Sequence, residues 1–116
     1  MPFRDEAFER RGPEAPIEVE LGAQSDSELY CDLRGSVVGV FASTFLVCAR
    51  DVHVHILVSF PDGRRFYASG IVQFVRTAEA DQLPGLGIAF TDLAADDREV
   101  LAQFAERVRP PRLYEE

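Results

Sequence analysis

Val52-His53-Val54-His55-Ile56-Leu57-Val58-Ser59-Phe60, followed by Pro61-Asp62-Gly63, decides the fold of this chain. Apolar and histidine side chains alternate along its first five positions, which is the period of a strand with one buried face. Pro61-Asp62-Gly63 is a turn by composition. Phe66 to Arg76 then reads as the return strand of a hairpin.

The same period extends outward from this hairpin. Upstream, Ile17-Glu18-Val19-Glu20-Leu21 alternates apolar and acidic side chains. Leu29 to Leu33 and Val37 to Val47 are two further strand candidates, with Gly35 between them and Gly39 inside the second. Glycine inside a strand marks a bulge, a bend or a close approach to the backbone. Downstream, a loop from Thr77 to Pro84 leads into Leu86-Gly87-Ile88-Ala89-Phe90. The period changes after Asp92: Leu93, Val100, Leu101, Phe104, Ala105 and Val108 fall on one helical face. Asp96 and Asp97 suit a helix N-terminus, and Pro110-Pro111 ends the helix.

The expected organisation is a flexible arm over residues 1–15, one domain over 16–110 and a tail over 111–116 in which Leu113 and Tyr114 could dock. About six short strands followed by one helix make the chain mainly β. Strands at this spacing predict a small antiparallel barrel or sandwich, with the helix over one mouth or flank.

A length of 116 residues allows a single core. The formal net charge of −8 argues against a nucleic-acid partner and against an anionic membrane surface, both of which are bound through clustered cations. No segment has the length of a membrane span, so no membrane insertion is expected. No signal peptide is evident, so a cytoplasmic location is expected, with Cys31 and Cys48 reduced. All 12 cationic side chains are arginine, whose planar fork holds phosphate and stacks on rings.

Few constellations suggest chemistry. His53 and His55 share a strand face and could begin a metal site with Cys48 or Asp51; the competing reading is a plain solvent-exposed face. Asp32, Asp51 and Asp62 belong to separate turns and strands. Ser36 and Ser43 show no pairing with a histidine, and no glycine-rich phosphate loop is present. No catalytic residue, no metal and no enzymatic activity are expected.

Arg34-Gly35-Ser36-Val37-Val38-Gly39, preceded far upstream by Arg10-Arg11, resembles the motif pair of the PilZ domain family. Gly39 to Thr44, Ser59 to Gly63, Gly70 to Val75 and Pro84 to Phe90 echo the family in the same order. The resemblance spans about Arg10 to Val108. It implies a six-stranded antiparallel PilZ-like β-barrel with a C-terminal α-helix, and a family ligand, cyclic di-GMP. In the family an Arg-x-x-x-Arg stretch grips phosphate and guanine, and Asp/Asn-x-Ser-x-x-Gly surrounds the other guanine.

Both motifs are incomplete. Four residues beyond Arg10 and Arg11 stand Glu14 and Ala15, so neither register supplies the second arginine. Ser36 and Gly39 match the second motif, but Arg34 replaces its leading acceptor and can only donate. Asp32 could act as a slipped acceptor. Losing two such contacts, at about 1.5–3 kcal/mol each, moves micromolar binding to the millimolar range. The expectation is a regulatory adaptor that binds a protein partner, as monomer or homodimer, without a cofactor. Val37, Val38 and Phe104 are its candidate partner-binding residues. By family analogy the setting is bacterial motility or polarity control. The alternative is a divergent cyclic di-GMP receptor using Arg10, Arg11, Arg34, Ser36 and Gly39.

Overall fold

Strands β4 (His53–Ser59) and β5 (Arg65–Arg76) form the expected hairpin, with Ser59 opposite Arg65 and His53 opposite Ile71. The computed structural model describes residues 15–22, 25–46, 48–79, 82–108 and 110–113. In the turn, Gly63 takes φ +93° and its amide donates to the Phe60 carbonyl. The Asp62 carboxylate accepts from the Arg64 amide at 2.9 Å and from Arg64 Nε at 2.8 Å. The Arg64 backbone N–H, foremost, holds the Asp62 carboxyl below its usual range.

The remaining elements are β1 (Ile17–Glu20), β2 (Glu28–Cys31), β3 (Val37–Ser43), β6 (Gly85–Asp92), helix α1 (Ala95–Arg107) and β7 (Arg112–Leu113). They build one seven-stranded sheet in the order β1-β4-β5-β6-β3-β2-β7. This corrects the expected six-stranded antiparallel barrel in two respects. The sheet is mixed, because β1 runs parallel to β4 and β7 runs parallel to β2. A tight hairpin forces antiparallel pairing, whereas strands joined through long connections are free of that constraint. The seventh strand lies in the stretch expected to be a tail, where Arg112–Leu113 adds to the free edge of β2.

The sheet curls into a half-barrel with β1 and β7 as its edges, and the curl brings β1 toward β3. Bulges in β5, between Ser69 and Gly70 and between Val72 and Phe74, add bend and twist. The concave face carries Val19, Val40, Val54, Ile56, Val58, Val72, Leu86 and Ile88, all buried. Leu101, Phe104 and Ala105 of α1 join the same core. Phe104 meets Phe60 edge-on, with ring centroids 5.5 Å apart. Among the described residues no helix is long and apolar enough to cross a membrane.

Two strands end earlier than their apolar composition predicts. Leu33 lies beyond β2 and is 90% exposed; Phe45 lies beyond β3 and is 79% exposed. The first is carried off the sheet by the tight turn between β2 and β3. The second follows Thr44, whose amide bonds the Pro84 carbonyl as the chain leaves the sheet.

Candidate binding surfaces

The β2–β3 turn holds the residues that carry the family resemblance. Asp32 directs Oδ1 at the amides of Arg34, at 2.9 Å, and Ser36, at 3.0 Å. Its own amide donates to the Ser36 carbonyl, and Gly35, at φ +85°, donates to the Asp32 carbonyl. Short acidic side chains that bond nearby amides stabilise turns in this way. Asp32 is therefore a turn-former, and one of its oxygens is fully engaged. Asp32→Ala should destabilise the protein by about 1 kcal/mol, while Asp32→Asn, which keeps an acceptor, should cost less; urea unfolding reads the difference.

Arg34 and Ser36 are exposed at this turn. Arg10 and Arg11 lie outside the described residues. Gly39 is buried in β3, and a Cβ built there would stand 2.6 Å from the Ile88 carbonyl oxygen. The glycine thus lets β3 approach β6 closely, which accounts for it without any ligand.

The candidate partner-binding residues do not form one surface. Val37 is 3% exposed and faces the core, and Phe104 is buried against Phe60. This corrects the expectation that they offer apolar area to a partner: the bulge at Val38 turns Val37 inward and the helical stripe turns Phe104 inward. Val38 is half-buried on the opposite face. Phe104 keeps an edge in a shallow groove of about 200 Å³ with Pro61, Gln103, Arg107 and Val108.

His53 and His55 are exposed while Val52, Val54 and Ile56 are buried, so the alternation read from sequence holds. His55 Nδ1 lies 3.3 Å from Ser69 Oγ. The described residues contain no cluster of three His, Cys, Asp or Glu side chains able to hold a metal ion. Cys31 and Cys48 are both free; Cys48 is buried, and desolvation pushes its thiol pKa up.

Two features of the convex face were missed by sequence reasoning. The first is an aromatic layer. Phe41 and Phe74 stack with centroids 6.2 Å apart, Tyr30 meets Phe74 edge-on at 6.0 Å, and the Arg76 guanidinium lies 4.1 Å above the Phe41 ring. The second is an open concavity of about 320 Å³ lined by Pro16, His55, Tyr67, Ala68, Ser69 and Asp92. Register assembles it across strands: His55 pairs with Ser69, and Ser69 with Asp92. Alternation places Tyr67 on the same face as Ser69, a signal present in the sequence but usable only once the strand partners are known. No protein-family model matches the chain, and no match to a curated protein is found.

Proposed function

We propose that this chain is a PilZ-like, single-domain regulatory adaptor that works through protein–protein contact and does not bind cyclic di-GMP at physiological levels. The observation that carries this reading is the commitment of Asp32. The residue nearest to the missing acceptor of the second motif already spends Oδ1 on two amides of its own turn. Arg34, at the motif position itself, offers only donors. Gly39, whose match suggested room for a ligand, abuts the β6 backbone instead.

The mainly β half-barrel with its C-terminal helix is consistent with the family resemblance at the level of architecture. Leu33, Phe45 and Tyr67 each expose a large side chain to solvent. The family analogy suggests bacterial surface motility or polarity control as the setting, and the cytoplasm as the location.

Calorimetric titration of the full chain with cyclic di-GMP at physiological salt tests the reading. No heat is expected up to about a hundred micromolar ligand. Low-micromolar binding would overturn it in favour of a divergent receptor, in which Arg34 replaces a lost phosphate contact.

A further inference from the structure

The convex-face concavity has a distinct chemistry. One row across the sheet runs from Pro16 through His55 and Ser69 to Asp92; extending the Ile17–Ile56 register by one residue sets Pro16 opposite His55. A second row, Glu18–Leu57–Tyr67, lies beside it. Leu57 is buried although it faces away from the core, so it forms an apolar floor beneath this surface. Tyr67 is 70% exposed.

Among the described residues, neither Asp92 nor Glu18 nor Glu20 has an ion-pair partner, and the Tyr67 ring has no aromatic or cationic one. Arg65 is the nearest cation on this face by register: it stands two residues from Tyr67 on the same side of β5 and, opposite Ser59, two strands, about 10 Å, from Glu20. A carboxylate, a hydroxyl, an imidazole and an exposed phenol ring therefore converge on one open space.

We propose that this concavity receives an arginine side chain carried by a basic, extended segment of a partner protein. The inference rests on the adaptor reading and deepens it by naming the partner's chemistry. An anionic ligand would face Asp92, with Glu18 and Glu20 beside it, in a chain of net charge −8. A purely apolar segment would bury Asp92 without a counter-charge. Lysine would neutralise Asp92 but could not lie flat on a ring. A guanidinium does both: it stacks on Tyr67 and presents its fork to the Asp92 carboxylate. Ser69 and His55 supply the remaining polar wall, and Glu18 and Glu20 continue the negative surface along β1 for further basic residues of the same segment.

The test titrates the ¹⁵N-labelled full chain with hexaarginine and, separately, hexalysine peptides at physiological salt. Hexaarginine should shift the amides of His55, Ser69 and Asp92 before others, and should bind at least about threefold more tightly than hexalysine. Tyr67→Ala and Asp92→Asn should each weaken hexaarginine by about threefold or more, while Tyr67→Phe keeps the affinity. Glu106→Gln, on the exposed side of α1, removes one carboxylate elsewhere and should change nothing. Equal affinity for the two peptides, equal losses in Asp92→Asn and Glu106→Gln, or no binding would overturn the proposal. Such a failure would leave the adaptor reading standing, because that reading is decided separately by the cyclic di-GMP titration.

Discussion

Gly87→Ala should destabilise the protein by about 2–4 kcal/mol, a large effect for one added methyl group. A Cβ on Gly87 would overlap the Phe74 ring, which lies directly on the β6 backbone. Gly85 stands in the same relation to Phe41. These glycines leave a flat strip on the convex face where two aromatic rings rest on main chain. Phe74 is half-buried, so it can swing outward, and that escape sets the size of the effect. It would forfeit its own buried area, about 1.5–3 kcal/mol, together with its pairings with Phe41 and Tyr30. A double-mutant cycle in urea isolates the cause. In a Phe74→Ala background, Gly87→Ala should cost less than about 0.5 kcal/mol, because the clash partner is gone. A full-sized penalty in both backgrounds would mean that the glycine is needed for another reason.

Leu101→Ala should cost about 3–4 kcal/mol and lower the melting temperature by more than about 10 °C. Leu101 is fully buried on the inner side of α1, where the helix covers the open mouth of a sheet that does not close on itself. Phe104 and Ala105 flank it, and Phe60 reaches from the end of β4 to meet Phe104. A cavity there cannot be refilled by sheet movement, since the facing wall is fixed by strand pairing. Leu101→Met conserves volume and should cost less than about 1.5 kcal/mol, and Val108→Ala, at an exposed position, less than about 0.5 kcal/mol. If Leu101→Ala proves as mild as Val108→Ala, the helix is not part of the cooperative core.

What the sequence made legible follows from which signals are local. The β4–β5 hairpin was readable because alternation and turn chemistry both lie within a few residues of each other. The helix was readable from its apolar spacing, although it begins at Ala95 because β6 continues through Asp92. The direction of β1 was not readable. Alternating Ile17, Glu18, Val19 and Glu20 shows that one face is buried but not which neighbour buries it or in which sense. β7 has only two residues and therefore no period at all.

The sites divide in the same way. The role of Asp32 was within reach, because an acidic residue followed closely by Gly35 and Ser36 is turn chemistry, yet the motif comparison drew attention to its charge instead. The stripe of α1 already argued against Phe104 as a surface residue, whereas Val37 turns inward through the bulge at Val38, which period-2 alternation does not foretell. The Tyr67–Asp92 concavity draws on three strands and on Pro16 just before β1, and only the register of the folded sheet brings them together.

The β2–β3 turn also bears on how the chain tolerates a change of length. Arg34 and Gly35 are the residues that Asp32 folds around. Written without them, the chain reads Asp-Leu-Ser-Val-Val-Gly, the complete spacing of the family's second motif. The excess lies in the turn, outside β3, and the bulge at Val38 is what sets Val37 on the core side together with Val40 and Ala42. A two-residue change of length in this turn would therefore leave the core face of β3 as it is.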